Sequence, residues 1–222
     1  MYALTKTKSE VKNVKNIRRK LGAVALAAVL MIISLSGCGV GKTSSDGSIS
    51  TIEKGVLKVG MNLNDSPMSY LNTDTARPDG FEAKVAEQVA EKLGLKLEII
   101  DTTQKNLLKS LDADIYDCVI SSVGMTEENC EKYEATNAYA DVSAIEDELT
   151  EKPKNTKIAI FGKKNNGLIQ AIEKQALEPL KEDGTLSEIS KSSLKEDIII
   201  MLEIRETCVN EVKEKFYLQN CK

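Results

Sequence analysis

Apolar and polar positions between residues 55 and 121 follow two periods, one typical of strands and one of a helix. From Phe81 onward, apolar residues recur at every fourth position, and Gly94 stands where a glycine commonly ends a helix. Short apolar runs predict the other elements: strands at residues 55–60, 95–100 and 115–121, and a short helix at residues 107–111. This order favours βαβ units and an α/β fold, with a largely parallel sheet flanked by helices.

The pattern changes after residue 143. Residues 146–155 are charged and carry no core pattern, so we expect a surface connection there. Beyond it, the sequence predicts a strand at residues 157–161, a helix at 167–181 that residues 181–185 break, and another helix at 186–195. Residues 198–222 have apolar residues at approximately helical spacing, which predicts a helical tail.

The start of the chain has the pattern of an export signal. Basic residues 18–20 precede an apolar run over residues 21–35, which is shorter than the about 20 residues that span a bilayer. Small residues then lead to Cys38, an ending that resembles the lipobox of bacterial lipoproteins. The resemblance implies a signal peptide over residues 1–37 and lipidation of Cys38. The alternatives are a plain signal peptide and an anchor with an incidental cysteine. Residues 38–50, rich in Gly and Ser, predict a flexible tether.

Charge and composition argue against nucleic-acid binding, histidine-dependent catalysis and metal binding. Removal of residues 1–37, which hold seven basic residues and one acidic residue, changes the formal net charge from −4 to −10. An acidic surface argues against nucleic acid as a partner. The chain contains no histidine, which excludes Ser-His-Asp and Cys-His catalytic arrangements. The cysteines also lack metal-ligand spacing, so we expect no metal site.

Residues 41–43, Gly-Lys-Thr, match the end of a phosphate-binding loop, but Ser36 stands where that motif needs glycine. No core strand and helix surround this segment either, so we expect no cofactor. Cys118 lies in an apolar run and is predicted to be a small buried residue. A Cys208–Cys221 disulfide is compatible with a location outside the cell.

Two loops at predicted strand ends form the candidate binding site, at residues 61–70 and 121–128. In open α/β sheets, ligands bind at the carboxyl ends of strands, where loops and helix N-termini present backbone N–H groups. Ser122, Gly124 and Thr126 would leave such donors accessible to a carboxylate. Thr126 also suits a helix N-cap. From the residues alone, capping and ligand contact both remain open.

An ordered series of segments resembles the extracellular solute-binding proteins (family 3) that serve amino-acid ABC importers. The segments are residues 56–60, 67–70, 80–86, 116–128, 137–141, 158–161 and 180–186. The resemblance implies a periplasmic-binding-protein-like (type II) fold that binds an amino acid or similar small polar solute and presents it to a membrane permease. With the lipobox, it implies a location on the extracytoplasmic face of the cell membrane, held through the lipid anchor.

The chain departs from this family in its length. A whole second lobe normally lies between the segment ending near residue 143 and the strand at residue 158, and here only a short charged connector occupies that interval. The sequence therefore predicts a single lobe over residues 51–197. It is built from residues 51–143 and 157–197, and residues 198–222 form a tail. Because a closed pocket buries about 70–90% of its ligand, we expect one lobe to bind weakly or not at all.

The candidate ligand site also departs from the family pattern. The carboxylate-clamping arginine of the family falls at Asn129, which offers one neutral amide and would lose about tenfold to a hundredfold in affinity. Lys132 is either a substitute charge or an ordinary surface lysine. The resemblance implies the following ligand-binding residues: Asn62 at the family's first-loop acid, Tyr70 in the matched first loop, Gln104 at the aromatic over the ligand, then Ser122, Gly124, Thr126 and Asn129.

Three functions compete on this sequence. The leading hypothesis is a lipid-anchored binding component of an ABC transporter, in an intact or degenerate form. The second is a surface sensing or interaction domain without a transport role. The third is an enzyme, because cyclohexadienyl-type dehydratases share this fold, but Glu127 and Glu128 are the local acid or base candidates and suit a first helical turn better. We therefore expect no enzymatic activity.

Overall fold

The computed structural model describes residues 49–201 of the 222-residue chain. The predicted signal peptide, Cys38, the Cys208–Cys221 disulfide, most of the tether and most of the tail lie outside the described residues. Within residues 49–201, no helix has the length and apolar character needed to cross a bilayer.

A five-stranded mixed sheet forms the centre of the fold. Strand β1 (Val56–Met61) pairs in parallel with β5 (Lys96–Asp101) on one side and with β6 (Cys118–Val119) on the other. Strand β10 (Phe161–Gly162) runs antiparallel to β6 and to β7 (Glu134–Ala135). The order β5-β1-β6-β10-β7 confirms the predicted α/β fold with a mostly parallel sheet.

Two smaller sheets accompany it. Strands β2 (Asn64–Asp65), β3 (Ser69–Asn72) and β4 (Arg77–Asp79) form an antiparallel meander directly after β1. Strands β8 (Ala140–Asp141) and β9 (Lys157–Ile158) pair antiparallel at the two ends of the connector.

Helices cover the sheet at the predicted places. Helix α1 (Phe81–Lys92) buries its apolar stripe, and Gly94 adopts a φ of 66°, as expected of a glycine just after a helix. Gly184, with a φ of 81°, separates the last two helices. The others are α2 (Leu107–Asp112), α3 (Glu127–Lys132), α4 (Leu168–Ala171) continued by a π-helical turn (Ile172–Leu177), α5 (Glu178–Glu182) and α6 (Thr185–Leu194).

Two buried clusters hold these elements together. The larger joins β1, α1 and the C-terminal helices through residues such as Leu57, Val85 and Leu180. The smaller packs Tyr116 and Phe161 with α2 on the other side. Cys118 is free and buried, which confirms its predicted role, and burial raises the pKa of its thiol.

Three predicted elements differ from the structure. The strand predicted at residues 115–121 is restricted to β6, and Ile115 is 49% exposed. The strand predicted at 157–161 divides into β9 and β10 because its two ends pair with different strands. At the start of the predicted helical tail, residues 198–200 are extended instead: Ile199 forms a β-bridge with Ala140. The Tyr139 and Asp141 backbones pair with this segment, which removes it from a helical conformation.

The connector is also more ordered than the sequence predicts. One 3₁₀ turn, Val142–Ala144, directly precedes it, and a second, Glu146–Glu148, lies within it. Leu149 is only 6% exposed and belongs to the larger cluster, together with Ile145. The sequence predicted a surface connection at residues 146–155, and all of them except Leu149 are exposed or half-buried. The core contact of Leu149 was missed because a single leucine in a charged segment gives no periodic pattern.

Candidate functional site

The carboxyl ends of three parallel neighbours, β1, β5 and β6, lie at the same edge of the sheet. Each continues into a polar segment there. Strand β1 leads to Asn62 within the predicted loop at residues 61–70, here called the first loop, and β5 leads to Gln104. Strand β6 leads to the predicted loop at residues 121–128, here called the second loop, whose last two residues begin α3. Two of the predicted site residues are therefore brought to the edge that carries the second loop.

Direct hydrogen bonds join these segments. The Asn62 backbone N–H donates to Ser121 Oγ at 2.9 Å, and Gln104 Nε2 donates to the Ser121 carbonyl oxygen at 3.2 Å. Gln104 Oε1 is buried and has no hydrogen-bond partner among residues 49–201. Ser121, which the sequence did not single out, thus links Asn62 and Gln104.

The second loop donates hydrogen bonds to Glu82, a fully buried residue in the first turn of α1. Glu82 Oε1 accepts a hydrogen bond from the Ser122 backbone N–H and another, at 3.2 Å, from Ser122 Oγ. Tyr139 Oη lies 3.4 Å from the same oxygen, and Ser69 Oγ lies 3.2 Å from Oε2. Burial raises the pKa of Glu82 to about 7, although the hydrogen bonds from Ser122 and Ser69 oppose the shift.

Glu82 is the principal residue that sequence reasoning missed. Its position in α1 reads as an ordinary first-turn acid, which the helix dipole favours. The signal that could have identified it is its place beside the apolar stripe, directly after Phe81, because a solvent-facing acid would lie opposite that stripe.

Ser122 has a left-handed backbone, with φ at 47°. That conformation is uncommon for residues other than glycine and costs free energy unless the surroundings hold it. The two hydrogen bonds to Glu82 provide such a hold. Ser122 is 1% exposed, so its hydroxyl is committed to Glu82 and its backbone shapes the loop.

Thr126 caps helix α3, which is one of the two roles that the sequence left open for it. Its Oγ1 accepts from the Asn129 backbone N–H at 3.3 Å. The Asn129 side chain turns back to the loop, where Nδ2 donates to the Gly124 carbonyl at 3.0 Å. Lys132 forms an exposed ion pair with Glu128, which agrees with a surface role rather than a substitute for the missing arginine.

Two backbone N–H groups in the middle of the second loop have no acceptor among residues 49–201. Glu82 engages the Ser122 N–H, and the Lys157 carbonyl engages that of Met125. For Val123 and Gly124, no hydrogen bond from the backbone N–H is found among residues 49–201. These two consecutive donors thus have no acceptor among residues 49–201, at residues that are both buried and, in the case of Gly124, in close contact with the Asn155 backbone.

The connector lies against both loops. Asp65 Oδ1 in the first loop accepts from the backbone N–H groups of Thr150 and Glu151, at 3.0 and 3.4 Å. In the second loop, Asn155 Nδ2 donates to the Met125 carbonyl at 2.8 Å. A Cβ added to Gly124 would lie 2.4 Å from the Asn155 carbonyl oxygen, so only glycine permits this approach.

Tyr70 is the predicted site residue that the structure does not join to the others. It lies on β3 next to Ser69, and because side chains alternate along a strand it faces away from Glu82. Burial raises the pKa of Tyr70, and the interaction of its hydroxyl with Asp79 adds to this shift. An open pocket nearby is lined by Arg77, Asp79 and Lys84, among others, and none of its lining residues belongs to either loop.

Comparisons with known proteins agree with this architecture. The model of the bacterial extracellular solute-binding proteins, family 3, matches residues 57–196, and the chain belongs to this family. The L-cystine-binding protein TcyA of Bacillus subtilis (strain 168) is 31% identical over 134 residues, which cover 57% of this chain and 50% of TcyA. The L-cystine-binding protein TcyJ of Escherichia coli (strain K12) is 31% identical over 127 residues, covering 57% of this chain and 47% of TcyJ. The chain thus spans about half the length of the curated relatives it matches.

Among solved structures, a point mutant of the arginine-bound form of domain 1 from TmArgBP is similar to this chain. The TM-score is 0.50 and the identity is 26%, and the match covers 58% of this chain and 93% of that domain.

Proposed function

We propose that this chain is the lipid-anchored, extracytoplasmic substrate-binding component of an ABC transporter for amino acids or similar small polar solutes. The observation that carries the proposal is the second loop. There, the Val123 and Gly124 N–H groups have no acceptor among residues 49–201, at an edge shared by three parallel strands. Such donors suit the carboxylate that every free amino acid carries.

The ligand would be held mainly by neutral donors. Asn129 already donates to the Gly124 carbonyl and carries no charge, so a carboxylate receives no bidentate clamp from it. Gln104 Oε1 offers a buried acceptor at the same edge of the sheet. This combination favours modest affinity.

One lobe presents only part of the surface that a closed pocket would bury. The arginine-bound domain 1 from TmArgBP nevertheless supports binding by a single lobe of this kind. We expect this chain to bind amino acids with dissociation constants weaker than about 10 µM, which corresponds to less than about 7 kcal/mol of binding free energy.

Titration of the full chain in detergent with each of the twenty amino acids and L-cystine tests the proposal. Calorimetry and NMR chemical-shift changes give the dissociation constants. Saturable binding of at least one amino acid is the expected result. No saturation by any of them at millimolar concentration would overturn amino-acid binding, and a submicromolar constant would overturn the expected weakness.

Membrane attachment through Cys38 needs a separate test, because Cys38 lies outside the described residues. Labelled palmitate fed to expressing cells should enter the chain and keep it in the membrane fraction, since acyl chains contribute about 0.8 kcal/mol per buried CH₂. The Cys38→Ala variant should lose both properties. Co-purification of the anchored chain with an ABC permease would support the transport role.

A sensing or interaction role is the second candidate, because the connector already contacts both loops and Asn129 replaces the family's arginine. Genes for a permease and an ATPase beside this gene would argue against it. An enzymatic role finds less support. Glu127 and Glu128 are exposed in the first turn of α3, without the enclosed site that a general acid or base needs. An assay of prephenate turnover tests that role directly.

A further inference from the structure

Glu82 connects three separate parts of the chain at one buried point. Ser69 belongs to the first loop, Ser122 to the second loop, and Tyr139 directly precedes β8. All three have a polar atom within 3.5 Å of the Glu82 carboxyl group. The Ser69 hydroxyl also lies 2.9 Å from the Asn62 carbonyl oxygen, which extends the network to the end of β1.

The backbone of the second loop depends on this acceptor. Without it, the buried Ser122 N–H would lose its hydrogen-bond partner, and the left-handed conformation of Ser122 would lose the contacts that hold it. The next two residues, Val123 and Gly124, carry the donors proposed to bind the ligand. A change in the Ser122 backbone reorients the Val123 N–H first, because that group belongs to the Ser122–Val123 peptide bond. The peptide bond that carries the Gly124 N–H is also held by the hydrogen bond from the Ala159 N–H to the Val123 carbonyl oxygen, at 3.2 Å.

We infer that Glu82 is a positioning residue of the amino-acid site, which sets the direction of the Val123 and Gly124 N–H groups through Ser122 without touching the ligand. The inference rests on the proposed function. Helix α1 would then influence, through Glu82, how tightly the second loop binds the ligand.

The charge environment supports this role. Among residues 49–201, no ion pair joins Glu82 to a lysine or arginine; hydroxyl groups and the Ser122 N–H contact its carboxyl group, and the charge of Asp65 raises its pKa further. A buried carboxyl group without a cation is stable only when hydrogen bonds satisfy it. The network therefore requires Ser122 and Ser69 to remain in place.

Two variants separate positioning from general stability. Glu82→Gln keeps an acceptor oxygen for the Ser122 N–H, while Glu82→Leu removes it at similar volume. Ser190→Ala is the matched control, because Ser190 is equally buried and bonds the Glu196 carbonyl and the Ile198 N–H instead of the loops.

L-arginine and L-cystine, titrated separately into the full chain, serve as probes. We expect Glu82→Leu to weaken binding about tenfold or more, Glu82→Gln to restore it to within about threefold, and Ser190→Ala to leave it unchanged at a comparable loss of stability. Equal weakening by Glu82→Leu and Ser190→Ala would overturn the inference.

Amide hydrogen exchange gives a readout that does not need a ligand. Glu82→Leu should accelerate exchange at residues 122–124 beyond the global change, and Glu82→Gln should not. If neither probe binds the unmodified chain, the proposed function loses its support for these two solutes, while the exchange result still decides whether Glu82 positions the loop. Unchanged local exchange in Glu82→Leu would overturn the inference in that case as well.

Discussion

The backbone of Asn155 lies directly on Gly124, so that a Cβ at position 124 would be 2.4 Å from the Asn155 carbonyl oxygen. This contact places the connector over the second loop, and the bonds from Thr150 and Glu151 to Asp65 place it over the first. Residues 150–155 therefore contact both of the loops that are proposed to bind the ligand.

The close approach at Gly124 predicts that Gly124→Ala displaces the connector. The added methyl group cannot share space with a backbone carbonyl, so we expect the variant to lose about 1–3 kcal/mol of unfolding free energy. Amide exchange at residues 150–157 should also accelerate. Chemical denaturation and exchange mass spectrometry measure the two effects. Gly94→Ala is the control, because nothing lies within 4 Å of its added Cβ and only its positive φ is strained; connector exchange as fast in this control would contradict the prediction.

The raised pKa of Glu82 predicts that the unfolding free energy falls as the pH rises. Its pKa is about 7 in the folded chain because of burial, against 4.5 as the ordinary value. Between these values the folded protein retains a proton that the unfolded chain releases, so the unfolding free energy decreases as pH rises and levels off above about pH 7. The full effect is about 3 kcal/mol.

Urea denaturation at several pH values across this window measures the slope. Glu82→Gln should remove most of it. Burial also raises the pKa of Asp65, so a smaller decrease of the same sign should remain. An unchanged slope in Glu82→Gln would show that Glu82 is ionised throughout the window.

Restoring the arginine of the family should tighten binding. Asn129 lies in the first turn of α3, and its amide already reaches the second loop. We expect Asn129→Arg to strengthen the binding of L-arginine or L-cystine by about tenfold to a hundredfold, because a charged fork replaces a neutral amide. Calorimetric titration measures the change. Lys132→Ala, which removes an exposed ion pair, should leave affinity unaltered; a comparable change there would point to net charge rather than to a specific clamp.

Most of the fold could be predicted from the sequence because its pattern is local. The four-residue repeat that starts at Phe81 and the glycine at 94 define α1 to within two residues. The strand at residues 115–121 was predicted too long, since an apolar run shows burial but not where the pairing partner ends. Ile199 beside Ala140 is a non-local pairing, and no periodicity within residues 198–222 could indicate it.

The sequence predicted the two loops of the candidate site, but not the buried Glu82 that accepts hydrogen bonds from the second loop. The family resemblance identified Ser122, Gly124 and Thr126, and the structure brings Asn62 and Gln104 to the same edge. Their roles as ligand-binding residues remain predictions. Glu82 was missed because a sequence shows which residues neighbour a helix face but not which loops fold over it. Leu149 was missed for a related reason, since one apolar residue in a charged segment has no period.

The hydrogen bonds of Ser190 predict that this side chain attaches the extended segment at residues 198–200 to α6. Its Oγ donates to the Glu196 carbonyl at 2.7 Å and accepts from the Ile198 N–H at 3.0 Å, and its side chain is fully buried. Ser190→Ala leaves both backbone groups without this partner, so we expect a loss of about 1–3 kcal/mol of unfolding free energy. Amide exchange at Ile198 and Ile200 should accelerate because their segment loses its attachment to α6.

The control Ser192→Ala removes an exposed hydroxyl from the same helix and should change stability by less than about 0.5 kcal/mol. Equal losses in the two variants would mean that the extended segment is held by the Ala140 bridge alone.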